Sequence, residues 1–366
     1  MSDAEVTSTA DEELIFDWNA RGRGSAGERR LEWLDETLRF APDGARVTEL
    51  IQLTAALGVD AVHLGAPDRP GATDRARRCR EAGLDVACGG TLPAVEHAID
   101  LADRAGMAVE FRLLVGERWT RRETEEAVET AVRGGLSVTL VTPRPLAGPA
   151  TRVAIESPPE ADPTSILAQL QSARAAGAVK VDWAARHDRG LALAHALSAA
   201  AHADRICATA LGIGRGAPLE LVLLNRKLEG SLPDEHDLSH CRAYCHAAAE
   251  VVGWKVPCNY PLVGRDAFRT ATGVHAAAIT KATQRRDPWL ADRVYSGVPA
   301  GAFGRAQELL IGPLSGASNV RHWLETRRID APPALVHAIL ARAKRQARVL
   351  RDDEIFAVVT RHRGER

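Results

Sequence analysis

The 366 residues carry 45% hydrophobic and 26% charged side chains, enough to bury one large barrel-sized core or two smaller ones. Basic and acidic residues nearly cancel, 47 against 48 for a formal net charge of -1, so no overall field draws the chain to nucleic acid or to an anionic membrane. No apolar run reaches the ~20 residues that a membrane helix needs. Residues 1–12 are small and acidic, without a signal-peptide core, and read as a disordered tail on a cytoplasmic protein. The six cysteines are scattered without zinc-ribbon spacing, as buried reduced thiols would be. Cys241 and Cys245 lie one helical turn apart beside His240 and His246, but a single helix supplies few ligands at tetrahedral geometry.

From residue 13 to 232 short apolar runs alternate with amphipathic stretches rich in Ala, Arg and Glu, the rhythm of a parallel βα sheet. Strands are expected at Glu13–Asn19, Ala61–Gly65, Leu84–Cys88, Ala108–Val115, Ser137–Thr142, Arg152–Glu156, Ala178–Trp183 and Arg205–Thr209. Eight such strands fit a (β/α)8 TIM barrel, although the count alone does not exclude an open parallel sheet. Helices are expected between them, for example over Ala94–Arg104, Arg122–Arg133 and Thr164–Ala175. Ser25–Arg46 reads as an extra segment ahead of the helix that leads to the second strand. After Thr142 the chain runs Pro-Arg-Pro-Leu-Ala-Gly-Pro-Ala-Thr, too short and proline-rich for a helix, so the helix after the fifth strand should be missing. Residues 233–366 show helical stretches at Leu238–Val252 and Pro333–Leu350 and no strand alternation. They read as a smaller C-terminal helical subdomain.

Several ordered blocks carry chemistry. They are Asp17-Trp-Asn-Ala-Arg21, Gly58-Val-Asp-Ala-Val-His-Leu-Gly-Ala-Pro67, His187-Asp188-Arg-Gly190-Leu-Ala and Thr209-Ala-Leu-Gly212-Ile-Gly214-Arg215. Pro257-Cys-Asn-Tyr-Pro-Leu-Val-Gly264, Thr272-Gly-Val-His275 and Gly312-Pro-Leu-Ser-Gly316 follow in the helical region. Together they resemble the 2-isopropylmalate synthase/homocitrate synthase family, of the DRE-TIM metallolyase superfamily. Its corresponding blocks read Asp-Thr-Thr-Leu-Arg, Gly-Val-Asp-x-Ile-Glu-Val-Gly-Phe-Pro, His-x-His-Asn-Asp-x-Gly-Leu-Ala, Thr-x-x-Gly-Ile-Gly-Glu-Arg, Pro-x-Asn-x-Pro-Ile-Val-Gly, Ser-Gly-Ile-His and Gly-x-x-Ser-Gly. The resemblance implies the barrel, the helical subdomain and a homodimer whose subdomain reaches over the partner's active site.

It also implies a divalent metal held at the barrel mouth by the strand-one Asp, the two histidines of His-x-His and often an Asn beyond the Gly-Ile-Gly loop. The chain departs from that set. Counted back from Asp188 and Gly190, the two histidine positions are Ala184 and Arg186, and the post-loop Asn is missing. No cofactor is therefore expected, the family metal being lost, with an acyl-CoA as co-substrate. A metal site rebuilt from Asp17, His63 and His187 stays open as an alternative. Arg186 should face Asp17 and either pair with it or bind a substrate carboxylate with its planar fork. His63 stands where the family has Glu on strand two, Arg144 replaces a carboxylate on strand five, and Gly22 replaces the Asp after the strand-one Arg.

By resemblance, Arg21 would stabilise an enolate, and His275 with Tyr295 would serve proton transfer. Asp17, His63, Arg144, Arg186, His187, Asp188 and Thr209 would bind substrate, and Gly212, Gly214 and Arg215 would form the acyl-CoA loop. The expected function is formation or cleavage of a C–C bond on a small carboxylated substrate, a 2-oxo acid or malate-like acid. The alternative is a non-catalytic paralogue that binds a metabolite or a partner subunit.

Overall fold

The computed structural model describes residues 30–42, 44, 46–116, 119–143, 152–158 and 161–364. These fall into two compact units that divide between Val256 and Pro257. The division lies beyond the expected boundary at 232/233, because the helix Cys241–Val252 packs on the helix Arg46–Ala56 of the first unit.

The first unit is a closed barrel of eight parallel strands. In chain order they are β1 (Glu32–Asp35), β2 (Ala61–His63), β3 (Asp85–Gly90), β4 (Glu110–Leu114), β5 (Ser137–Thr142), β6 (Arg152–Glu156), β7 (Lys180–Ala184) and β8 (Arg205–Ala208). Closure comes from β1 pairing with β8, Glu32 beside Arg205 and Asp35 beside Ala208. The helices around it are α1 (Arg46–Ala56), α2 (Ala72–Glu81), α3 (Val95–Ala105), α4 (Arg121–Arg133), α5 (Ile166–Ala175), α6 (Ala192–Ala200), α7 (Leu219–Leu228) and α8 (Cys241–Val252). Local signals set their ends. Thr120 and Glu123 form a reciprocal capping box at the start of α4, and Gly106 ends α3 in the left-handed conformation. No helix among the described residues lies between β5 and β6, which pair directly with Thr139 beside Arg152. No described helix is long and apolar enough to cross a membrane.

Strands two to eight lie where expected, within a few residues. Strand one does not. The barrel's first strand is Glu32–Asp35, inside the segment read as an insertion, and Glu13–Asn19 lies outside the described residues. The reason is visible in Glu32, whose carboxylate reaches across the barrel to Arg152 on β6 (2.7 Å) and to Lys180 on β7 (2.7 Å). A strand whose inward face is charged lacks the apolar pattern that marks a strand in sequence. The run Leu14-Ile-Phe16 carries that pattern more strongly.

The second unit contains α9 (Gly273–Gln284), α10 (Pro288–Arg293), α11 (Ala317–Thr326), α12 (Pro333–Lys344) and α13 (Asp352–Gly364). Its core gathers Ile311, Val320, Trp323, Ile339 and Ile355. The closing helix is two helices rather than one, because the chain turns between Lys344 and Asp352 so that Trp323 Nε1 can donate to Asp352 (3.0 Å). A short parallel pair, β9 (Arg269–Thr270) with β10 (Glu308–Leu309), was not expected from the sequence.

Candidate active site at the barrel mouth

The barrel interior holds a network of charges below the mouth. Arg205 donates to both oxygens of Glu110 (2.7 and 2.6 Å) and to Asp182 (2.9 and 2.6 Å), and Arg152 donates to Asp182 (2.8 Å). Burial acts to raise the Glu110 pKa, but the charge of Arg205 and its hydrogen bonds, helped by Arg112 and Thr139, hold it well below the usual carboxylate range. Arg112 is the link to the mouth. Fully buried, it lies 3.3 Å from both Glu110 and Asp182, donates towards Cys207 Sγ (3.4 Å), and places Nε 4.0 Å from Glu36.

Above it, at the C-terminal ends of the strands, is a cavity of about 270 Å³. A barrel of this kind presents its chemistry at that end. Glu36, Arg39, His63, Arg112 and Glu156 supply its polar wall, and Phe40, Leu114, Val141 and Ala184 supply apolar surface. Arg39 is half-buried and contacts Glu36 at 3.2 Å. A 3-10 turn, Thr37–Arg39, delivers it from the end of β1, and three groups hold that turn in place. Asp35 points away from the mouth, accepts from the Thr37 backbone (2.8 Å) and hydroxyl and from Tyr244 (2.7 Å), and its pKa is raised by burial against those hydrogen bonds. The Thr37 hydroxyl accepts from the Ala210 amide (2.8 Å), tying the turn to the loop after β8. Arg69 and Arg75 donate to the carbonyls that the turn leaves open, Arg39 (2.9 Å) and Ala41 (2.6 and 2.9 Å).

The opening block of the resemblance therefore belongs at Asp35-Glu-Thr-Leu-Arg39, which agrees with Asp-Thr-Thr-Leu-Arg at Asp35, Thr37, Leu38 and Arg39. Asp17–Arg21 agrees only at its first and last residues. The strand-one arginine is thus Arg39 in place of Arg21, the strand-one aspartate is Asp35 in place of Asp17, and the residue after the arginine is Phe40 in place of Gly22. Asp17, Arg21 and Arg144 lie outside the described residues. The better match was present in the sequence. What hid it was the missing strand signal ahead of it, while Glu36 and Arg112 carry no motif at all.

His63 lines the cavity, almost fully buried, and its Nδ1 accepts from the Gly65 amide (2.9 Å). Burial first, then the charges of Arg39 and Arg112, push its pKa well below the ordinary imidazole value. Arg186 does not line the cavity. Its guanidinium is engaged at the rim by Glu156 (3.0 Å) and Asp188 (2.9 Å), and Asp188 is bound in turn by Arg215 (2.8 Å). His187 is exposed and contributes its backbone amide to the Arg215 carbonyl (2.8 Å). Thr209 is buried, its hydroxyl donating to the Ile213 carbonyl (2.8 Å) across the loop that carries Gly212, Gly214 and Arg215. Gly214 adopts φ 68° and packs under the Phe40 ring, where any side chain would collide. In the second unit the structure brings His275 and Tyr295 together, stacked at 4.6 Å with planes 16° apart.

Among the described residues, the donor set at the mouth does not fit a divalent ion. Ala184 and Arg186 offer no ligand, His63 has committed Nδ1, and Glu36 and Glu156 are paired with arginines. Among the described residues no group of three or more His, Cys, Asp or Glu side chains is placed to hold a metal. Cys241 and Cys245 are buried free thiols.

No protein-family model matches the chain. It is 29% identical to a homocitrate synthase of Pyrococcus abyssi over 152 residues, 40% of this chain and 39% of that protein. It is 24% identical over 188 residues to the Archaeoglobus fulgidus protein named "Probable 2-isopropylmalate synthase", 49% of this chain and 36% of that one. The chain thus matches only about two-fifths of these relatives' length. The carboxyl transferase domain of Rhizobium etli pyruvate carboxylase, solved with oxalate, aligns with 88% of the chain and 65% of its own length at 11% identity and a TM-score of 0.48. By sequence, the chain is a relative of the homocitrate synthases and 2-isopropylmalate synthases, built as the (β/α)8 barrel that its motifs imply.

Proposed function

We propose that this protein makes or breaks a carbon–carbon bond on a small carboxylated substrate, a 2-oxo acid or malate-like acid with an acyl-CoA as co-substrate, through an enolate held by arginine cations instead of a metal. The observation that supports it most is the cavity itself, where Arg39 and the buried Arg112 meet at a small polar pocket. In condensation, a base removes a proton from the acyl methyl carbon, and the resulting carbanion attacks the ketone carbon of the 2-oxo acid. Negative charge then grows on the ketone oxygen, which takes up a proton, and water hydrolyses the thioester to release the CoA thiol. Cations already held in place stabilise the developing charge without reorganisation during reaction. Arg112 is held in that way by Glu110 and Asp182. Glu36 and Glu156 are the carboxylates that line the cavity, and the family resemblance assigns proton transfer to His275 and Tyr295, which stack on each other within the second unit. The loop of Gly212, Gly214 and Arg215 would receive the acyl-CoA. In this reading the charge and the N–H hydrogen bonds of the guanidinium groups take the stabilising role that a metal ion has in the family.

The test is to incubate the protein with acetyl-CoA and a panel of 2-oxo acids and to follow release of the CoA thiol. Thiol release dependent on one 2-oxo acid, abolished in Arg39→Ala, is the expected result. Binding of a carboxylate without thiol release or bond cleavage would favour a non-catalytic metabolite-binding paralogue.

A further inference from the structure

We propose that His63 is a catalytic hydrogen-bond donor that presents Nε2–H to the anionic oxygen of the bound substrate beside Arg39 and Arg112. This role rests on the reading of the cavity given above and adds to it a tautomer and a contact.

The tautomer follows from geometry. A backbone amide can only donate, so the 2.9 Å bond from Gly65 N requires a lone pair on Nδ1, and a neutral ring then carries its proton on Nε2. Among the described residues, Nε2 has no hydrogen-bond partner of its own. Space on its edge exists because strand three carries Gly89 there. A Cβ at that position would stand 2.8 Å from Nε2 and 3.0 Å from the Arg112 carbonyl, and Gly89 lines the same cavity. Protonating the ring would put a hydrogen on Nδ1 against the Gly65 amide. It would also add a third cation beside Arg39 and Arg112, with Arg205 behind them and Glu110 as the opposing charge. Burial first, and then those cations, disfavour the protonated ring. A neutral imidazole polarises a carbonyl and donates to the enolate or alkoxide without surrendering its proton, so no proton transfer from His63 is required.

The experiment uses uniformly 15N-labelled full-length protein and long-range proton–nitrogen correlation of the imidazole rings, with His63 assigned by its loss in His63→Gln. A bare Nδ1 and a protonated Nε2 at neutral pH is the expected signature. A ring protonated on Nδ1 overturns the proposal. Oxalate, a planar dianion that imitates an enolate, is then titrated in and should shift the Nε2–H proton. Oxalate that perturbs the Arg39 and Arg112 side chains but leaves Nε2–H unmoved overturns the donor role while the reading of the cavity survives. Oxalate that binds nowhere in the cavity removes both. Because one hydrogen bond to a charged group is at stake, His63→Ala should weaken oxalate about 10- to 100-fold. His63→Gln, which keeps a neutral N–H, should recover most of that loss, and Gly89→Ala should weaken oxalate with His63 intact. Wild-type affinity in all three variants overturns the proposal.

Discussion

The interior and the mouth of the barrel both hold arginines near carboxylates, yet they differ in how completely each charge is answered. In the interior, Arg205 spends its fork on Glu110 and Asp182, and Asp182 is shared with Arg152 and Arg112. Asp182 is fully buried, so these charges answer one another and have no access to a ligand. At the mouth, Arg39 has one carboxylate contact, at 3.2 Å, and opens onto a cavity. The same residue types thus hold the fold together in one layer and are available for chemistry in the next. Arg112 joins the two, a buried residue whose guanidinium is fixed from below and which lines the cavity above.

The largest effect should come from breaking the interior. Arg205→Ala leaves Asp182 and Glu110 buried against Arg112 and Arg152 alone, and should cost about 3–5 kcal/mol in chemical denaturation. A loss under about 1 kcal/mol would mean that the interior network is slack and that the contrast with the mouth is false.

Acid should reach the same layer. The folded-state pKa of Glu110 is depressed, so its contribution is present above the ordinary glutamate pKa and disappears as pH falls towards the folded value. The melting temperature of the wild type should therefore drop below about pH 4.3, and that of Glu110→Gln should fall less steeply over the same range. Parallel curves would show that Glu110 is not the group that titrates.

At the mouth the order of effects should invert. Arg39→Ala should change stability by no more than about 1 kcal/mol, as expected for a solvent-accessible pair, yet lower oxalate affinity about 10- to 100-fold by calorimetric titration. A variant that binds oxalate normally would move the chemistry away from this cavity.

Arg186 sharpens the boundary of the site. It is bound by Glu156 and Asp188 at the rim, so Arg186→Lys should leave oxalate affinity unchanged and cost at most about 1 kcal/mol. A marked loss of affinity would return Arg186 to the substrate. The smallest expected effect is none. A chelator should leave the melting temperature unmoved and elemental analysis should find no stoichiometric divalent metal, whereas a tightly held ion would overturn the cation-for-metal reading.

Sequence alone determined that seven parallel strands and their helices lie between Ala61 and Ala208, because turn residues and amphipathic periods punctuate that stretch. The resemblance sets Ala184 and Arg186 where the family has histidines, counted back from Asp188 and Gly190. Sequence alone misplaced the first strand, because Glu32 turns its charge inward to Arg152 and Lys180, a partnership that exists only once the barrel closes. The cation network was illegible for the same reason. Arg112, Asp182 and Arg205 read individually as charges that spoil a strand, and only tertiary structure brings β4, β7 and β8 face to face across a shared interior. His63 was visible as a substitution, but its tautomer was decided by the Gly65 amide and the space at its ring edge by the missing side chain of Gly89, contacts that a one-dimensional spacing does not contain.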